Sequence, residues 1–263
     1  MEIPRFNVLG VALCGMNLRI AVTAMLEAVY DRRKGYVCVT DVRAIGDAQE
    51  DEEFRQILNA SFLTTTDGMP LVWLGRRALG AEVERVYGPD LLLATLAETQ
   101  HHGQRHFFYG GGPGVAEELR ARMEERFPGV TICGTYAPPF RPLNPKEERE
   151  LTELVHVRRP DIVWVGISTP KQERFMVEYL PRLDTVLMVG VGAAFDFHSG
   201  RVRQAPRWIQ RSGFEWLFRV LSEPRRLGRR YLVSIPLFLG RIALQLLGLR
   251  KYPLEPKEPA AEA

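Results

Sequence analysis

The feature that most narrows the fold is an alternation filling the first 190 residues. Short β-rich runs occur at Tyr36–Thr40, Phe62–Thr66, His106–Tyr109, Val130–Gly134, Ile162–Ile167 and Val186–Gly190. Between them lie segments whose apolar residues recur at helical spacing, such as Leu18–Arg32, Asp51–Asn59, Leu91–His101, Val115–Phe127, Pro145–Val157 and Lys171–Tyr179. Strands that alternate with helices read as βαβ units and build a parallel sheet covered on both faces. The expected fold class is therefore α/β, a Rossmann-like parallel sheet flanked by helices. In such sheets ligands meet the carboxyl ends of the strands where the strand order reverses, so the residues just after each run are the ones to search.

After Gly200 the alternation stops. Residues 201–230 hold nine arginines against two acids, Glu215 and Glu223, interleaved with Trp208, Phe214, Trp216, Leu217 and Phe218. The net charge of +3 therefore conceals an acidic body and a strongly basic C-terminal region, a layout that suits contact with a polyanion at one end. Tyr231–Leu249 follows, a run in which only Arg241 and Gln245 are strongly polar. Its Pro236, its Arg241 and its basic flank fit an interfacial amphipathic helix better than a clean membrane span. The competing reading is a helix packed on the core or on a partner subunit. These shifts divide the chain into an α/β core over 1–200, a helical, basic, membrane-associating appendage over 201–250, and a Pro- and Glu-rich tail over 251–263 expected to be disordered. Hydrophobic content of 46% with 25% charged residues excludes a chain disordered throughout. Cys14, Cys38 and Cys133 form no CxxC pair and are odd in number, which favours reduced thiols over a disulfide framework. The N-terminal stretch lacks a signal-peptide layout, so a cytoplasmic protein is expected.

Four strand ends carry chemistry-bearing residues. In TTTDGMPLVW (64–73), Asp67 could serve as a general base at a strand's carboxyl end, or could simply cap the helix starting near Met69. In FFYGGGPGVAE (107–117), Gly110, Gly111 and Gly112 would let a backbone approach a phosphate at a helix N-terminus, or would only make a tight connection. The spacing is neither GxGxxG nor a Walker A, which argues against a dinucleotide-dependent oxidoreductase. In DIVWVGISTPKQE (161–173), Lys171 and Gln172 could bond a sugar or phosphate, while Ser168 or Thr169 could be a cap. In VGAAFDFHSG (191–200), Asp196 with His198 makes too few ligands to point to a metal. His101, His102, His106 and His156 lack ligand spacing and read as solvated or core residues. An acidic body without helix-turn-helix or RNA-binding signatures counts against nucleic acid as a partner.

Taken in order, these stretches resemble the WecG/TagA/CpsF family of bacterial glycosyltransferases. TTDGMPLVW (65–73), RVYGPDLL (85–92), FFYGGGPGVAEEL (107–119), GTYAPPF (134–140), PDIVWVGISTPKQE (160–173), VGAAFDFHSGRVRQAPRW (191–208) and EWLFRVLSEPRRLGRRY (215–231) carry the resemblance across about residues 36–232. It implies an inverting, metal-independent transfer of a hexosyl unit, N-acetylmannosamine-like or related, from a UDP-sugar. The acceptor it implies is an undecaprenyl-diphosphate-linked sugar at the inner face of the cytoplasmic membrane, in cell-surface polysaccharide assembly. No cofactor is implied. Asp67 matches the family's catalytic aspartate. Arg85 matches an arginine that binds phosphate or substrate, Gln172 a glutamine of the sugar pocket, and Thr40 the threonine of a Thr-x-Asn motif. Gly110, Gly111, Gly112 and Tyr136 fall in matched stretches and are candidate substrate contacts. Arg219, Arg226 and Arg229 are candidates for the lipid diphosphate or the membrane. Val42 stands where many members have the motif's Asn, which leaves the donor sugar open, and Arg43 beside it could pair with a carboxylate or phosphate. The same apolar tail could serve a homo-oligomer. A non-catalytic nucleotide- or lipid-binding module is the competing function, and Asp67 separates the two.

Overall fold

A computed structural model describes residues 2–254 apart from Glu223, with the side chains of 219, 222 and 224–233 outside the description. The elements run β1 (Arg5–Val8), β2 (Val11–Cys14), α1 (Leu18–Tyr30), β3 (Gly35–Thr40), α2 (Val42–Glu50), α3 (Glu52–Ala60), β4 (Leu63–Thr66), α4 (Met69–Leu79) and α5 (Gly88–Thr99). They continue as β5 (Arg105–Gly110), α6 (Val115–Arg126), β6 (Thr131–Tyr136), α7 (Pro145–Arg158), β7 (Ile162–Gly166), α8 (Lys171–Tyr179), β8 (Leu187–Gly190) and α9 (Ala194–His198). The chain then turns wholly helical with α10 (Arg207–Ser212), α11 (Glu215–Ser222) and α12 (Pro224–Leu246). All six β-rich runs are strands of one sheet, in the order β4-β3-β8-β7-β5-β6 and parallel at every pairing.

Both faces of this sheet are buried, and the period of two along each strand shows it. Val37, Phe108, Trp164, Leu187 and Val189 point into one core with α1, α5, α6 and α9. Their strand neighbours Cys38, Phe107, Tyr109, Val163, Val165 and Met188 point into a second core that also takes in α2, α3, α7, α8 and part of α12. A strand buried on both sides has no polar alternation, which is why these segments read as short continuous apolar runs. Within the first core His106 is wholly buried: Trp164 Nε1 donates to its Nδ1 at 3.1 Å, and Thr99 Oγ1 meets its Nε2 at 2.8 Å. Burial pushes its pKa down to about 3, so it is a neutral core residue and not a ligand.

Two regions depart from expectation. The first is the N-terminal run, which is an antiparallel hairpin, β1 with β2. Its two-residue turn, Leu9 (φ 51) and Gly10 (φ 81), has the positive dihedrals of a tight hairpin turn, and Asn7 Oδ1 accepts from the Gly10 N–H. The second is the C-terminal region. Helix α12 starts seven residues before the apolar run and lays Phe238 and Ile242 into the second core, both buried. The two polar residues of that run fix the docking. Gln245 accepts from the Leu9 N–H at 2.7 Å and donates to the Asn7 carbonyl at 3.0 Å, while Arg241 pairs with Glu50 of α2. Asn7 also donates to the Tyr252 carbonyl at 2.6 Å, so 251–254 lies along the hairpin; 255–263 lies outside the described residues. One face of α12 thus rests on the core, while Leu237, Leu239, Leu246 and Leu247 on the other are exposed.

The glycines after β5 have a packing role. Gly110 has φ 136, and a Cβ there would stand 2.5 Å from the Gly166 carbonyl oxygen at the end of β7. Gly111 (φ 73) would strike Val115 at 2.7 Å. Gly110→Ala should therefore push the ends of β5 and β7 apart and cost about 2 kcal/mol or more of stability in urea unfolding; an unaltered midpoint would show that the strand ends yield freely.

Candidate active site

The site forms where β3, β4, β7 and β8 end. β4 is an edge strand, and its threonines lace it to the segment after α4. Thr65 Oγ1 donates to the Val86 carbonyl at 3.0 Å, Thr66 Oγ1 donates to the Glu84 carbonyl at 2.9 Å, and the Val86 N–H bonds the Thr66 carbonyl. That lacing brings Arg85 alongside Asp67. The Asp67 N–H bonds the Thr40 carbonyl at 2.8 Å, which fixes the end of β4 to the end of β3. The carboxylate does not cap α4, whose cap is Gly68 with no side-chain bond. Instead Asp67 Oδ1 accepts from Arg85 Nε at 3.1 Å and Nη2 at 2.8 Å.

Arg85 has a second carboxylate. Its Nη2 donates to Glu215 Oε2 at 2.6 Å, and Tyr87 Oη donates to Glu215 Oε1 at 3.1 Å. The guanidinium carbon lies 4.0 Å over the Tyr87 ring. Glu215 belongs to α11, so the C-terminal helices deliver an acid into the core's site. Burial pushes the Asp67 carboxyl up to about 6; Arg85 opposes that rise, and the Glu215 and Asp41 carboxylates add to it.

Two cavities meet at this acid. One, of about 120 Å³, has Asp67, Arg85, Arg43 and Glu215 at its polar end and is walled by Met69 and Pro70 of α4, Trp216 of α11, and Ile235, Phe238 and Leu239 of α12. The Ser234 hydroxyl of α12 also lines it and has no partner among the described residues. The other, of about 100 Å³, shares Asp41, Arg43, Asp67 and Tyr87 and is completed by the turns after β7 and β8, with Ser168, Thr169, Gln172, Gly192 and Ala193. Arg43 spans both. It stands at the head of α2, which Asp41 caps by accepting the Ala44 N–H at 2.8 Å, and donates to the Thr169 carbonyl at 3.4 Å.

The candidate residues divide accordingly. Asp67 and Arg85 are in direct contact, and Gln172 lines the second cavity. The Gln172 amide, however, is spent on the protein: Oε1 accepts the Gly192 N–H at 3.1 Å, and Nε2 donates to Thr169 Oγ1 and Glu173 Oε1. It clamps the β7 turn to the β8 turn and shapes the cavity wall. Thr169 Oγ1 donates to Glu173 Oε1, and the residue at the cap position of α8 is Pro170, so neither Ser168 nor Thr169 caps that helix by its side chain. The Thr40 hydroxyl is buried and donates back to the Cys38 carbonyl at 3.3 Å; it holds the end of β3 and lines neither cavity. Gly110, Gly111, Gly112 and Tyr136 sit at the ends of β5 and β6, beyond β7, and line neither cavity; Tyr136 stacks on Tyr109. Lys171 lines neither cavity. His198 Nε2 bonds the Pro89 carbonyl, and no group of metal-ligating side chains occurs among the described residues. The side chains of Arg219, Arg226 and Arg229 lie outside the described residues.

Sequence reading passed over Glu215, Tyr87 and Trp216. The signal for Glu215 was present: it is one of only two acids among nine arginines in 201–230. Infrared difference spectra between the native protein and Asp67→Asn should show a carboxyl that loses its proton near pH 6. Titration at the ordinary carboxylate value near pH 4 would mean that the site is open to water.

The sequence matches the family described as "Glycosyl transferase WecG/TagA/CpsF family" over residues 6–252. A curated relative, the N-acetylglucosaminyldiphosphoundecaprenol N-acetyl-beta-D-mannosaminyltransferase of Bacillus spizizenii, is 31% identical over 219 residues, which cover 82% of each chain.

Proposed function

The chain belongs to the WecG/TagA/CpsF family of glycosyltransferases, and we propose that it transfers a hexosyl unit from a UDP-sugar to a polyprenyl-diphosphate-linked sugar, with inversion, in cell-surface polysaccharide assembly. The acceptor class follows the relative's name, which specifies a sugar on undecaprenyl diphosphate. The observation that carries the reaction type is Asp67, a carboxyl raised to about 6 where two cavities meet. A base of that strength is ionised at neutral pH and still able to take a proton.

In this reading the acceptor hydroxyl enters through the cavity beneath α12, and the donor occupies the cavity at the turns after β7 and β8. Arg85 holds Oδ1 of Asp67, which leaves Oδ2 to accept the hydroxyl proton. The hydroxyl oxygen attacks the sugar's anomeric carbon from the side opposite the nucleotide, and the bond from that carbon to the diphosphate oxygen breaks with its electron pair leaving on UDP. Arg43, reaching both cavities, supplies positive charge to the departing diphosphate or to an acidic donor sugar. A pure binding module has no need of a raised carboxyl at such a junction.

The core of 1–200 and the helical region after it then act as one unit, with the C-terminal helices resting on a lipid surface. Supporting this are the exposed Trp208, Phe214, Leu221, Leu247 and Leu249 and the arginine-rich composition of 201–230. No helix among the described residues is long and apolar enough to cross a membrane, which suits a protein lying on the inner face of the cell membrane.

Radiolabelled UDP-hexoses offered with a short-chain polyprenyl-diphosphate sugar test the reaction. One donor should be used, and Asp67→Asn should lower kcat by about 10²-fold or more. No transfer from any donor would favour the binding module. Leu247→Glu with Leu249→Glu should weaken co-sedimentation with anionic vesicles while leaving transfer to a water-dispersed acceptor intact; undiminished sedimentation would remove this face from membrane contact.

A further inference from the structure

Glu215 has an unusual setting for the first residue of a surface helix. Its side chain is only 13% exposed, and each of its oxygens is engaged by a residue of the core, Oε2 by Arg85 and Oε1 by Tyr87. Arg85 in turn is shared between two carboxylates that come from segments far apart in the chain, Asp67 at the end of β4 and Glu215 at the head of α11. The groups facing Asp67 among the described residues are Arg85 and Tyr87 before α5, Asp41 and Arg43 at the head of α2, and Glu215 from α11.

We propose that Glu215 is a positioning residue for the proton-accepting Asp67: carried in by α11, its carboxylate holds Arg85 and Tyr87 and moderates the grip of Arg85 on the base. The inference rests on the reading of Asp67 as base. Its physical content is a matter of shared charge. A guanidinium paired with one carboxylate favours that carboxylate's ionised form and makes it a poor proton acceptor. A second carboxylate on the same guanidinium takes up part of that charge, and its own field favours the protonated form of the first. Both effects are strongest where water is scarce, and Trp216 and α12 supply that cover over this cavity. Without α11, Arg85 would act on Asp67 alone, and the site would open to water. The base is therefore at its working strength only while the C-terminal helices are docked, which ties proton transfer to the same helices that carry the exposed apolar face.

Glu215→Gln in the full chain tests this, because it keeps the size of the side chain and removes its charge. Two readouts apply: the infrared titration of Asp67, which needs no turnover, and the pH dependence of kcat/KM for transfer to the short-chain acceptor. The Asp67 titration and the acid limb of the rate profile should both move to lower pH, by about half a pH unit or more. kcat should fall about tenfold with a smaller change in acceptor KM. Glu215→Asp, which returns the charge, should bring the titration back toward the native position. A titration unmoved in Glu215→Gln, with the melting temperature preserved, overturns the proposal. If Glu215→Gln unfolds, Tyr87→Phe carries the test, since it removes the hydroxyl that holds Oε1; an unchanged kcat there overturns the proposal too. Full transfer by Asp67→Asn would instead strike at the base assignment, and the infrared titration would still decide whether Glu215 governs Asp67.

Discussion

The bridge from Asp67 through Arg85 to Glu215 is the interaction on which the arrangement of the site depends. It joins the end of an edge strand, the segment after α4 and the first helix of the C-terminal region by bonds of 2.6 to 3.1 Å. Three charged side chains taken out of water are costly, and their mutual attraction offsets this only when the geometry is good. Removing one partner from such a cluster typically costs about 3–5 kcal/mol, because a charge is left buried without compensation. Arg85 is the partner whose loss would leave two carboxylates facing each other. The cluster is thus better understood as a device that specifies geometry than as a source of net stability.

Its position follows from the sheet. With β4 at the edge and β8 between β3 and β7, the strand order reverses around β3, and the ends of β3, β4, β7 and β8 converge on one crevice. The threonines of β4 turn their hydroxyls to the carbonyls of Glu84 and Val86, so the strand's open edge is satisfied by the segment that carries Arg85 and Tyr87. One set of hydrogen bonds therefore finishes the sheet and places the cation.

Much of this could be read from the sequence because it is local. Six strands and their covering helices follow from runs and periodicities within windows of a dozen residues, and the strand-end rule leads to Asp67 without any knowledge of its partners. The hairpin was hidden because its two strands, four residues each, abut across Leu9-Gly10 and read as one apolar run. Residue type misled where a side chain answers to its own backbone: the Thr40 hydroxyl turns to the Cys38 carbonyl, and Gly110 is glycine because the end of β7 leaves no space for a Cβ. Gln172 lines a cavity, yet its amide is engaged by the turns it holds together. Glu215 meets Arg85 across 130 residues of chain, a separation that no periodicity reports.

The C-terminal region shows how two opposed readings of one segment can both be true. An apolar run with Arg241 and Gln245 in it was weighed as an interfacial helix against a helix packed on the core. Helix α12 does pack, through Phe238 and Ile242 and through the two polar residues, which reach Glu50 and the hairpin. Its leucines at 237, 239, 246 and 247 remain outside. A helix serving only the core would carry one apolar stripe and a charged outer face. A helix apolar on both sides needs a second apolar environment, and an exposed patch of this kind marks an interaction surface. Since the inner face roofs the cavity at Asp67, whatever covers the outer face lies one helix diameter from the base. A lipid-borne acceptor would then cross no bulk water on its way to the carboxylate.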